Sequence, residues 1–310
     1  MLAYYLLLIV NNSPLQWRNR LRDLIFSTFG GTLSDLEIYR QWLSAKQYFS
    51  NPNDKVFVPV QLSSFSPAIA PSKKIAIHFH VYYIELAKEA LAYFEQFPVS
   101  FDLLISCTST EDLEYCISLF KDCSTIDDIQ GKVVKNQGRD LAPLVCDFAK
   151  TIANYDYFAH IHTKKSLEVN AIGDAWRQYL FSNLLSAKTV PKILTLLKSY
   201  SIVYPKTFDQ ISYEHCIWGM SYPQGCELSV RMGLQKPIDG YIQFPVGSMF
   251  WAQVKAFEPL FALNLTTNDF EVEMGQTHGT LAHSIERLLA TIPTQTSAPA
   301  AIIYSGRVNQ

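Results

Sequence analysis

From Lys74 to His162 the chain alternates short apolar runs with segments of helical periodicity, and this pattern limits the possible folds more than any other feature. Lys74–His80 reads as a strand, Val81–Phe97 as a helix and Phe101–Ser106 as a second strand, with Thr110 capping a helix around Leu113–Phe120. Lys132–Lys135 reads as a third strand and Leu141–Ala153 as a helix that carries Pro143 in its first turn. Tyr155–His162 reads as a fourth strand. Such alternation predicts an α/β fold with a mostly parallel central sheet flanked by helices. Ligands of these sheets bind at the carboxyl ends of the strands. The polar clusters fall there: His78 and His80, Cys107–Thr110, Asn136–Asp140 and His162–Ser166.

The two ends of the chain read differently. Met1–Val10 is an apolar run about half as long as a bilayer span, without a positive flank or a cleavage site, so it suggests a buried strand, a short interfacial anchor or a mis-set start. A basic helical stretch from Trp17 to Phe29 ends at Gly30-Gly31, a second helix runs from about Leu33 to Phe49, and a loop rich in Ser and Pro reaches Pro71. Residues 1–70 are therefore expected to form an N-terminal helical extension or linker, and 71–310 the working domain. Beyond the fourth strand, Asp174–Leu185 and Val190–Tyr200 read as helices, Ile202–Tyr204 as a strand, Tyr241–Phe250 as strand-like and Leu281–Leu289 as a helix.

Lys and Arg number 26 against 28 Asp and Glu, which leaves no basic surplus for nucleic acid. None of the six cysteines forms a Cys-x-x-Cys pair, so buried free thiols in a reducing compartment are expected.

Four stretches carry candidate chemistry. Asn136-Gln-Gly-Arg-Asp140 is a strand-to-helix turn in which Gly138 permits close backbone approach and Arg139 offers a bidentate anion partner. His162-Thr-Lys-Lys-Ser166 places an imidazole, a hydroxyl and the lysines Lys164 and Lys165 at a strand exit, where they suit a pyrophosphate. Gly247-Ser-Met-Phe-Trp251 combines a close-approach pair, Gly247 and Ser248, with Met249 and Trp251 as an apolar wall for a deoxy-sugar. Phe270–Arg287 supplies Glu273, His278, His283, Glu286 and Arg287 around a helix start, where a Glu or His can act as a general base. By alternation His160 and His162 share a face of their strand, and with His78 and His80 they could form a metal site of a hydrolase, although no carboxylate at the same strand exits completes it.

From about Lys73 to Leu289 the sequence resembles the rhamnan synthesis F family. The matching pieces are Ile75–Tyr83, Asn136–Pro143, Tyr155–Tyr157 with Ile161–Ser166, Trp176–Tyr179, Gly247–Trp251 and Gly279–Arg287. The family is associated with rhamnose-containing polymers such as O-antigen and wall polysaccharides. The resemblance implies a GT-A-like glycosyltransferase that transfers L-rhamnose or a related deoxyhexose from a nucleotide donor such as dTDP-L-rhamnose. It implies a lipid-linked glycan acceptor, a cytoplasmic location with peripheral contact at the inner face of the plasma membrane, and other assembly transferases as partners. In this reading Asn136, Gly138, Arg139, His162, Lys164 and Lys165 bind the donor diphosphate and Asp140 its ribose or base. Glu273 or His278 activates the acceptor hydroxyl, while Gly247, Ser248, Met249, Trp251, His283, Glu286 and Arg287 surround the sugar and acceptor.

The strand exit of many GT-A enzymes carries an Asp-x-Asp that holds a divalent metal; Ile161–Lys164 offers no carboxylate, so no cofactor is expected and lysine charge replaces the metal. The family pattern also has an acidic residue where this chain has His278. The missing Asp-x-Asp and His278 together leave a second reading, a non-catalytic glycan-binding or assembly subunit.

Overall fold

The computed structural model describes residues 2–36, 38–40, 42–43, 46, 56–67, 73–163, 172–211 and 215–304. Its centre is an eight-stranded sheet. In chain order the strands are β1 (Phe57–Gln61), β2 (Ile75–Val81), β3 (Phe101–Cys107), β4 (Ile126–Val133), β5 (Tyr157–His162), β6 (Ile202–Pro205), β7 (Phe250–Gln253) and β8 (Ala300–Tyr304). Across the sheet they run β1-β8-β6-β7-β5-β2-β3-β4. Every pairing is parallel except those of β7, which lies antiparallel to β5 and β6. The expected α/β sheet is thus present, and its one reversed strand enters from the edge at which β5 and β6 end.

Each face of the sheet packs a core. One contains Ile77, Phe79, Phe94, Phe120, Leu184 and Trp251; the other contains Leu144, Phe158, Phe250, Phe257, Ile285 and Leu288. The period-2 alternation of strands explains the division: along β2, Ile77 and Phe79 take the first face, leaving His78 and His80 on the second. Helix Thr110–Phe120 covers β3 and β4 and starts at Ser109, whose hydroxyl accepts the Asp112 N–H at 3.1 Å. Helix Gly173–Leu185 is tied to helix Ala87–Phe94 by Arg177, which donates two hydrogen bonds of 2.9 Å to the Glu89 carboxylate and one of 3.0 Å to Asp174.

Several local expectations are corrected. The apolar N-terminal run is a helix, Leu2–Asn11, which packs with Leu15–Leu33 around Val10, Ile25, Phe26 and Trp42. Asn19 joins this pair to the main body by donating to the Asp209 and Ile211 carbonyls. No helix among the described residues is long and apolar enough to cross a membrane. The stretch up to residue 70 is not all extension, because β1 pairs with β8 in the sheet. Its Pro59 disguised it; a proline that lacks an N–H is tolerated on an edge strand, and β1 is an edge.

At the other edge, β4 begins earlier than Lys132 and is largely solvated, so it lacks an apolar signature. The expected helix Leu141–Ala153 is interrupted by a π-helical turn at Pro143–Asp147. Of the expected strand Tyr241–Phe250 only Phe250 is in a strand, the start of β7; the rest is irregular apart from a bridge between Ile217 and Tyr241, because Gly247 (φ 87°) and Ser248 (φ 54°) turn the chain before β7 starts. The cysteines are free thiols; Cys146 and Cys226 are partly exposed and the rest buried.

Candidate active site

Two loops shape a cleft at the carboxyl edge of the sheet, and each contains a consecutive pair of left-handed residues. Gly138 (φ 75°) and Arg139 (φ 58°) follow β4; Gly247 (φ 87°) and Ser248 (φ 54°) precede β7. Left-handed backbone at a non-glycine residue is strained and persists where the surroundings enforce it. At Gly138 they do so sterically: a β-carbon would come within 2.5 Å of Phe270 and Ala142. At Gly247 it would come within 2.8 Å of the Trp176 ring. The glycines are therefore required by packing as well as by dihedral angle, and the turns aim Arg139, Asp140 and Ser248 at one space.

That space is a cleft of about 560 Å³. Asn136, Arg139, Asp140, His162, Gly247, Ser248, Glu273, His278, His283, Glu286 and Arg287 all line it. Residues separated by some 150 positions in sequence are thus gathered at one edge. His80, expected only as part of a polar cluster or metal site, completes much of the wall with Tyr82, Tyr83, Trp176, His215 and Gln276, which were not among the expected site residues.

Two expectations differ, and a third falls on residues that are not described. Met249 and Trp251 do not form a wall of the cleft; both are buried in the core on one sheet face, where the Trp251 indole donates to the Leu184 carbonyl at 2.9 Å. Strand alternation sends their side chains through the sheet, and the apolar surface at the cleft comes from Trp176, Phe244 and Val246 instead. Gly138 shapes its loop under Phe270 and does not itself line the cleft. Lys164 and Lys165 lie outside the described residues.

The polar groups are held by specific partners. Arg139 donates to the Gln276 carbonyl and stands 3.7 Å from the Glu273 carboxylate. Gln137 donates to the Phe270 carbonyl at 2.6 Å and bridges to Val272, which ties the loop after β4 to the loop 270–278. Glu286 accepts the Gly247 N–H at 2.9 Å; burial raises its carboxyl above the ordinary glutamate range against the opposing pull of Arg287 and that N–H. Arg287 is buried, donates to the carbonyls of Ile217 and His283 at 2.7 and 3.0 Å, and lies over the Phe244 ring. Thr280 caps helix Leu281–Leu288 and bonds the His283 ring at 2.6 Å. At the end of β5, Thr163 accepts the N–H groups of Tyr82 and Tyr83, and His162 Nε2 donates to the Gly247 carbonyl at 2.8 Å.

Three of the four strand histidines meet as a hydrogen-bonded set, while His162 bonds the Gly247 carbonyl. His78 Nδ1 and His160 Nδ1 are 2.9 Å apart, His78 and His80 share the Ser106 hydroxyl, and His160 reaches Asp140 at 3.3 Å. Among the described residues no group of three or more His, Cys, Asp and Glu side chains is arranged to hold a metal ion.

A cleft of this size suits a small, largely desolvated ligand. It presents fixed guanidinium charge, buried carboxylates and imidazoles around partly aromatic walls, the combination that recognises a polyhydroxylated molecule carrying an anion.

Comparison with known proteins gives the following. The profile of the family described as rhamnan synthesis protein F matches residues 41–297. A Xanthomonas campestris pv. campestris (strain B100) protein named WxcX is 30% identical over 233 residues, covering 72% of this chain and 32% of that protein. Its counterpart from a second strain is 29% identical over 237 residues with the same coverage. The chain thus spans about a third of the length of these relatives. A crystal structure of S. aureus TarS residues 1–349 superposes with a TM-score of 0.39 at 8% identity, covering 76% of this chain and 59% of that one.

Proposed function

The chain belongs to the rhamnan synthesis protein F family, a family of polysaccharide synthesis, and we propose that it is a glycosyltransferase that moves a deoxyhexose, L-rhamnose first among them, from a nucleoside-diphosphate donor to a growing glycan. One observation carries this reading: Arg139, on a loop of consecutive left-handed residues, faces the same cleft as Asp140, Glu286 and Arg287 at the carboxyl edge of the parallel sheet. Arg139 neutralises the diphosphate, with Lys164 and Lys165 adding charge from the segment after Thr163. Asp140 and Asn136 address the nucleoside side, and His283, Glu286 and Arg287 the sugar. Glu273 and His278, the residues expected to activate the acceptor, sit on loop 270–278; Glu273 is engaged by Arg139, which makes it a positioner of that guanidinium.

The acceptor is a lipid-linked glycan, and we place the chain on the cytoplasmic side of the membrane, where nucleotide sugars are made. The test is a donor screen by thermal shift with and without divalent metal, followed by assay of transfer and donor hydrolysis. Stabilisation by dTDP-L-rhamnose with nucleoside diphosphate release supports the transferase. Stabilisation by glycan alone, with no donor turnover, supports a glycan-binding subunit.

A further inference from the structure

Beneath the cleft runs a continuous chain of side chains with both ends in the cleft and its middle sealed from solvent. His80 Nδ1 lies 2.9 Å from Ser106 Oγ, which lies 3.1 Å from His78 Nε2. His78 Nδ1 lies 2.9 Å from His160 Nδ1, and His160 Nε2 lies 3.3 Å from Asp140 Oδ2. The Ser248 hydroxyl donates to the same carboxylate oxygen. Ser106, His78 and His160 are fully buried, whereas His80 and Asp140 line the cleft. Strand register builds the chain: His78 sits opposite His160 across β2 and β5, and His80 opposite Ser106 across β2 and β3. Buried imidazoles need partners on both nitrogens, and here the partners are one another.

A relay toward Asp140 requires that carboxylate to be ionised, so that it only accepts and His160 carries its proton on Nε2. It also requires a neutral His160, whose bare Nδ1 then accepts from His78 Nδ1. Desolvation, followed by the neighbouring histidines, holds the His78 imidazole neutral, so its Nε2 is bare and takes the Ser106 proton. Ser106 in turn accepts from His80 Nδ1. In that arrangement every donor points toward Asp140, and a proton taken up at His80 is passed to Asp140.

We propose that the proton of the acceptor hydroxyl leaves through this wire, entering at His80 and arriving at Asp140. The inference rests on the transferase reading and makes His80 a catalytic base, with Ser106, His78 and His160 as the relay. The acceptor O–H proton passes to His80 Nε2. In concert, His80 Nδ1–H passes to Ser106, the Ser106 proton to His78 Nε2, the His78 Nδ1 proton to His160 Nδ1, and the His160 Nε2 proton to Asp140. One O–H bond breaks at the acceptor and one forms at Asp140; each ring ends neutral in its other tautomer. The negative charge moves from Asp140 to the acceptor oxygen, which bonds the anomeric carbon as the nucleoside diphosphate departs with the bonding pair.

Nitrogen-15 NMR of the histidine rings in the wild-type chain tests the direction without any variant. Protons on Nδ1 of His78 and His80 and on Nε2 of His160 are expected; an imidazolium at His160, or a proton on His78 Nε2, overturns the wire. Kinetics test its use. Ser106→Ala removes one oxygen outside the cleft and should lower kcat roughly 100-fold while donor KM stays within about twofold, and Ser106→Thr, which keeps the hydroxyl, should restore most of the loss. A folded Ser106→Ala chain with wild-type kcat overturns the wire alone. A wild-type chain that turns over no nucleotide sugar overturns the transferase reading, and the wire with it.

Discussion

Gly247 donates its backbone N–H to the Glu286 carboxylate at 2.9 Å, which fastens the turn before β7 to helix Leu281–Leu288. The same glycine lies under Trp176, and its φ of 87° belongs to the left-handed region. Gly247→Ala should therefore destabilise the fold by about 2 kcal/mol, from backbone strain and the clash with the indole. In a domain of this size that lowers Tm by roughly 3–4 °C. Donor affinity should fall as well, because the turn presents Ser248. Calorimetry and donor titration on the same variant check both.

Glu286 gives the chain a pH signature. Its carboxyl is raised by burial, so the folded chain keeps this proton at pH values where the unfolded chain has lost it. The stability it contributes is fully present below the ordinary glutamate range and is lost as pH rises through the raised value. Glu286→Gln keeps the shape and removes the titration. Denaturant unfolding across pH should show wild type losing stability relative to the variant through that window; parallel curves would contradict the assignment.

In the proposed function Arg139 is the cation that binds the donor diphosphate. Arg139→Ala should raise the donor Kd roughly 10- to 100-fold, the range for a lost charge-assisted hydrogen bond to an anion. Arg139→Lys should recover only part of this, since an ammonium lacks the planar fork. Glu273→Gln should weaken donor binding less than Arg139→Ala does, because it disturbs the orientation of the guanidinium and leaves its charge. Titration calorimetry with dTDP-L-rhamnose reads all three.

Arg177 separates structure from chemistry. It is buried and joins Glu89 and Asp174, both of which retain solvent contact. Arg177→Met should destabilise by about 1–3 kcal/mol, less than the loss of a fully buried pair, because the stranded carboxylates can hydrate. Donor Kd should be unchanged. Denaturant unfolding together with donor titration distinguishes this from a binding role.

Much of the central fold was legible because β2, β3 and β5 are apolar runs bounded by helical periodicity, the strongest local signal a chain provides. The edges were not. Half-solvated β4 has no apolar pattern, and β1 hides behind Pro59, so both required the sheet to exist before they could be recognised. Candidate site residues such as Arg139, Asp140 and Glu286 were legible as polar groups at strand exits and a helix start. Met249 and Trp251 were misread because alternation tells which residues share a face but not which face meets the cleft. Trp176 was unreadable as a wall residue, since only the three-dimensional approach to Gly247 gives it that place.

The most direct measurement is release of nucleoside diphosphate from nucleotide sugars by the purified chain, with and without a glycan acceptor. The account predicts turnover of dTDP-L-rhamnose that an acceptor accelerates and that Arg139→Ala lowers roughly 10- to 100-fold at subsaturating donor. Donor binding without release, or turnover indifferent to Arg139, would contradict it.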